Sequence, residues 1–143
     1  MIFDILNRTK KAEIVSEDNK LIKIAALMIH AAKIDENYTQ KEKKIIIDFL
    51  KSTNKDLDHE MILNQAEASE TDSNQILEYT KEIKKNTLDF RKTILKILWK
   101  IILSDKNSDL YESNLMRRIC GLLYLSDKIS GEIKQEILKE KKL

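Results

Sequence analysis

A chain of 143 residues, 42% apolar and 35% charged, holds one globular domain with a real core and is too short for two ordinary ones. Lys and Arg number 26 against 24 Asp and Glu, so the net charge of +2 gives no basic surplus that would call for nucleic acid. The absence of proline and the presence of only two glycines remove the punctuation of all-β folds and favour long helices.

The first helix is expected over 19–34, where Leu21, Ile22, Ile24, Ala25, Leu27, Met28, Ala31 and Ala32 form one broad apolar stripe. Ahead of it, Ile2, Phe3, Ile5 and Leu6 fit a packed N-terminal helix or, less simply, a contact with a partner or a membrane surface. Thr39 starts the next helix, which buries Ile45, Ile46, Ile47, Phe49 and Leu50, and residues 51–58 read as a polar loop. A shorter helix over 58–68 carries Met61, Ile62 and Leu63. The segment 69–74 lacks apolar periodicity and is expected to be the weakest in structure. A helix over 75–85 uses Ile76, Leu77, Tyr79 and Ile83. The strongest pattern, over 88–103, is apolar nearly all round and predicts the helix at the centre of the bundle. Helices over 109–124 and 130–141 complete the chain.

Cys120 is the sole cysteine, so no intrachain disulfide forms, and a reducing, cytoplasmic compartment is expected. The apolar start at Met1–Leu6 stops before a signal-peptide core forms, and the run near 94–103 is broken by Lys96 and Lys100.

An acidic pattern occurs twice. Asp35-Glu36-Asn37-Tyr38-Thr39-Gln40-Lys41-Glu42 and Asp105-Lys106-Asn107-Ser108-Asp109-Leu110-Tyr111-Glu112 both fit D-x-N-x-[TD]-x-x-E, and each joins two apolar helical runs. Sliding the chain by the Asp35-to-Asp105 offset also places Ala25, Met28, Ala31 and Ala32 on Leu95, Leu98, Ile101 and Ile102, and Ile46 and Phe49 on Met116 and Ile119. The chain therefore reads as one domain over 1–143, all-α, a bundle of about seven helices built from a duplicated helix-turn-helix pair, with repeats over 19–50 and 88–125.

These residues resemble the TerB-like family, named for tellurite resistance. The resemblance runs from about Leu21 to Leu138. It is carried by Ala25-Ala26-Leu27 leading to Asp35 and Glu42, and by Leu98-Trp99-Lys100 leading to Asp105 and Glu112. Leu115-Met116-Arg117-Arg118-Ile119 and Gly121-Leu122-Leu123-Tyr124-Leu125-Ser126 follow. It implies an all-α fold of about seven helices with an acidic metal site, and a role in metal, tellurite or envelope stress. Family members usually carry Ala-Asp-Gly at each turn; here Glu36 and Lys106 stand in the glycine's place, so the loop backbone is expected to differ.

Hard cations such as Ca²⁺, Mg²⁺ or Mn²⁺ take several oxygen ligands, and alternate residues of a tight turn can direct theirs inward. Asp35, Asn37 and Glu42 with Asp105, Asn107, Asp109 and Glu112 are the candidate ligands, as two sites or one shared site. The pattern is no EF-hand, because the loop glycine is missing and the closing Glu comes too early. The competing reading is capping: Thr39-x-x-Glu42 and Asp109-x-x-Glu112 are capping boxes, and Asp35 and Asp105 suit Asx-turns. Against capping alone, both aspartates lie just past a helix C-terminus, where the macrodipole disfavours negative charge.

Other conspicuous residues favour plain roles. His30 and His59 lack ligand partners at metal spacing, Cys120 reads as a buried thiol, and Arg117-Arg118 as a solvated face. No nucleophile–base pair, phosphate loop or dinucleotide fingerprint occurs, so a non-enzymatic role is expected. Two functional classes stand open: a domain binding a divalent cation and needing no other cofactor, and an interaction module for an unidentified protein partner or a membrane surface, with no nucleic acid in either.

Overall fold

The computed structural model describes the backbone of residues 2–72, 76–104 and 110–141; within these, side chains are described from residue 17 onward except at 35, 72, 110, 111 and 141. Seven α-helices and no strand occur among the described residues: α1 (Ile2–Ala32), α2 (Gln40–Thr53), α3 (His59–Asp72), α4 (Ile76–Lys84), α5 (Leu88–Leu103), α6 (Leu110–Leu122) and α7 (Asp127–Lys141). No described helix is long and apolar enough to cross a membrane.

With no proline to set boundaries, short polar side chains do it. Thr39 Oγ1 accepts the Glu42 amide, Asp58 Oδ1 that of Met61, Thr87 Oγ1 that of Phe90, and Ser126 Oγ that of Ile129. Each satisfies one of the orphan donors that open α2, α3, α5 and α7.

Helix α1 is one unbroken element from Ile2, about 46 Å long at 1.5 Å per residue, and reaches well upstream of the expected start at 19. The side chains of Ile2, Phe3, Ile5 and Leu6, the proposed N-terminal contact, lie outside the described residues. Further boundaries differ from expectation, among them the start of α7 at Asp127, ahead of the expected 130. Helix α2 runs on to Thr53, where the hydroxyls of Ser52 and Thr53 donate back to the carbonyls of Phe49 and Leu50. Helix α3 runs on to Asp72, through a segment whose anchor is the buried carboxylate of Glu70 and not an apolar stripe.

The centre of the bundle also differs from expectation. Residues Ile24, Ala25, Ala26, Leu27, Met28 and Ile29 are all fully buried, so the second half of α1 is enclosed on every side, by α2, α3, α4 and α5. Helix α5 buries Ile94, Leu95, Leu98, Trp99, Ile101 and Ile102 but keeps Phe90 and Ile97 partly exposed. It shares the centre and does not occupy it alone. The small side chains of Ala25, Ala26, Ala31 and Ala32 allow neighbouring helices to approach α1 closely. Residues paired by the Asp35-to-Asp105 offset share burial: Ala25 with Leu95, Met28 with Leu98, Ile46 with Met116, and Phe49 with Ile119.

Helix α6 ends in a Schellman motif. The Leu125 amide donates to Cys120 O and the Tyr124 amide to Gly121 O, which puts Tyr124 at the left-handed position with φ of 57°. Glycine usually occupies that position, and an L side chain there costs about 1–2 kcal/mol. Arg91 from α5 holds the turn, donating from Nη1 to the carbonyls of Leu123 at 2.8 Å and Tyr124 at 3.3 Å.

Candidate functional site

The first acidic turn begins where α1 tightens into a 3-10 turn, Lys33–Asp35. Glu36 follows in the left-handed conformation with φ of 64°, and its amide donates to Lys33 O at 2.9 Å. Glu36 takes up the left-handed geometry that glycine favours, and the turn absorbs the strain. Asn37 is exposed, and Thr39 is the extended N-cap of α2.

At this cap the box is complete. Glu42 Oε1 accepts from the Thr39 amide at 2.8 Å and from Thr39 Oγ1 at 3.0 Å, while the Glu42 amide donates to Thr39 Oγ1 at 3.2 Å. The Glu42 side chain is thus fixed in one orientation and only 2% exposed. Its counterpart in the second repeat, Glu112 on α6, is 3% exposed. The remaining candidates of that turn, Asp105, Asn107 and Asp109, lie outside the described residues, as does the side chain of Asp35. Among the described residues, no group of three or more His, Cys, Asp or Glu side chains is arranged to hold a metal ion.

The first turn lies against the second hairpin, α5–α6. The 3-10 turn packs on α6, and Lys41 Nζ donates to the carbonyl of Ser104 at 3.3 Å, placing a cation on the C-terminal carbonyls of α5. The hairpins that carry Glu42 and Glu112, α1–α2 and α5–α6, are therefore in contact.

Beside the first turn stands a polar network that the sequence pattern did not reveal. Glu70 on α3, 6% exposed, pairs with Lys33 Nζ at 2.9 Å and lies 3.4 Å from His30 Nδ1. Tyr38 donates its hydroxyl to Glu67 at 3.0 Å, and Lys43 sits over the Tyr38 ring at 5.0 Å. Burial first, then the Glu67 carboxylate, raises the Tyr38 phenol above its ordinary value of 10.0. Of these residues, Lys33, Tyr38, Lys43 and Glu67 line a groove of about 490 Å³ between the first turn and α3. Glu67 and Glu70 fall on the polar side of a helix pattern, and only the packing of α3 on α1, the first turn and α2 identifies their partners.

The other residues singled out by type have structural surroundings. His59 Nε2 donates to Asn54 O at 2.6 Å. Arg117 and Arg118 are exposed. Cys120 is fully buried and its thiol donates to the carbonyls of Leu125 and Ser126. Burial raises this thiol above its ordinary 9.0, so the thiolate is disfavoured. Native protein is expected to react with Ellman's reagent at least about a hundredfold more slowly than urea-unfolded protein. Rapid labelling of the native state would show that the end of α6 opens readily.

Two contacting helical hairpins, α1–α2 and α5–α6, with a core of aliphatic side chains define a small all-α domain. Residues 21–135 match the family described as "Tellurite resistance protein TerB", and the chain belongs to that family. The family is one of non-enzymatic helical domains. No curated protein and no solved structure matches the chain.

Proposed function

We propose that this TerB-family domain binds a divalent cation between its two acidic turns, and that the ion sets the packing of one helical hairpin on the other. Asp35, Asn37 and Glu42 would supply oxygens from the first turn, and Asp105, Asn107, Asp109 and Glu112 from the second. The observation that carries the reading is the pair of carboxylates, Glu42 and Glu112, buried at equivalent positions of two meeting hairpins. A hard cation takes several oxygen ligands and can hold two carboxylates at once. The bonds from Thr39 hold Glu42 in one rotamer, which is how an outer contact prepares a ligand. The domain would act without catalysis, in the cytoplasm, in the response to metal, tellurite or envelope stress.

A second reading has its own observation. The capping box of Thr39 and Glu42 is complete without an ion, so Glu42 serves as a helix cap, and in this reading the domain would be a protein-interaction module. Calorimetric titration of metal-free protein with Ca²⁺, Mg²⁺ and Mn²⁺ separates the two. Saturable heat with a raised Tm, both lost in Asp35→Ala/Asp105→Ala, is the expected result. The absence of heat with every ion leaves the acids as caps and sinks the cation reading.

A further inference from the structure

Among the described residues, three large apolar side chains are exposed: Leu77, Leu88 and Tyr124. Two of them belong to one face. Leu77, Lys81 and Lys84 recur at helical spacing along α4, opposite Leu122 at the end of α6, and together with Glu78 and Thr80 they line a groove of about 460 Å³. Tyr124 stands beside this groove, 70% exposed, with Lys84 Nζ 5.2 Å from its ring centre and 3.5 Å from its hydroxyl. Its backbone occupies the left-handed cap position where glycine would be relaxed, and Arg91 clamps the turn from below. An aromatic ring thus sits in water on a strained backbone, contributing little to the core. Strain of this kind persists where surrounding structure enforces it, and it concentrates at binding sites.

We infer that the α4–α6 groove, with Tyr124 at its edge, docks an acidic segment of a protein partner that inserts an aliphatic side chain over Leu77 and Leu122. Charge selects this occupant. Lys81 and Lys84 form no ion pair among the described residues, and together they outweigh Glu78, so the groove is net cationic beside the apolar side chains of Leu77 and Leu122. A bilayer fits less well, because the site is concave and two lysines fall short of the roughly four to eight that hold a segment to anionic headgroups. A tyrosine whose backbone Arg91 holds in place supplies a large amphipathic contact area with few side-chain torsions to fix on binding. The inference is independent of any cation at the acidic turns.

The test uses the full chain and a fluorescein-labelled amphipathic peptide with one leucine face and one glutamate face, read by anisotropy. Saturable binding is expected, weakened at least about tenfold by Lys81→Glu/Lys84→Glu and by Tyr124→Gly. Tyr124→Gly is also expected to raise Tm, since glycine relieves the left-handed strain while the anchor is lost. Any of these outcomes overturns the inference: no saturable binding, equal binding of a peptide with lysines in place of the glutamates, unchanged affinity in the variants, or a lower Tm for Tyr124→Gly. Capture by phosphatidylserine vesicles in place of the peptide overturns it in favour of a membrane.

Discussion

Trp99→Ala is expected to cost about 3–5 kcal/mol of folding stability, which is a large share of the roughly 5–15 kcal/mol available to a domain of this size. The indole is 5% exposed, donates from Nε1 to Ser130 Oγ at 3.0 Å, and lies under Lys134 Nζ at 5.0 Å from the ring. It joins α5 to α7 by area, by a hydrogen bond and by a cation over its face. Truncation empties the space and also leaves the buried Ser130 hydroxyl without its donor. Trp99→Phe keeps much of the area and is expected to lose far less, about 1–2 kcal/mol. Urea denaturation followed by helical circular dichroism measures both. Equal, small losses for the two variants would mean that α7 is held by other contacts.

Leu27→Ala is expected to cost about 2–5 kcal/mol. Leu27 lies within the fully buried stretch from Ile24 to Ile29, and helices pack around it from several directions. A cavity there cannot be closed by one helix moving inward, because the neighbours constrain each other. Ile133→Ala, on the partly buried face of α7, serves as the comparison and is expected to cost less. The same urea transitions rank the two. A Leu27→Ala loss no greater than that of Ile133→Ala would remove α1 from the centre of the bundle.

Much of this architecture can be read from apolar spacing. Helix α5 begins and ends where its pattern predicts, at Leu88 and Leu103, because one continuous apolar run there is bounded by a threonine cap and a polar turn. Periodicity fails where polar groups do the packing. Helix α3 continues to Asp72 because Glu70 is drawn inward by Lys33 and His30, side chains far away in sequence. The centrality of α1 was hidden for a related reason: its alanines look modest as hydrophobes, yet their smallness allows neighbours to surround the helix. At the turns, the Thr39–Glu42 box is legible from residue types alone. The left-handed Glu36 and Tyr124 are not, since neither residue type signals positive φ.

The single tryptophan gives this chain a built-in optical gauge of one particular joint. Indole emission follows the polarity around the ring, and the ring of Trp99 is walled by the Ser130–Lys134 turn of α7. Detachment of α7 alone would therefore shift the emission to the red while most of the helical ellipticity persists. Global melting would move both signals together. Undocking of the last helix and collapse of the whole bundle can thus be told apart in the unlabelled wild-type protein.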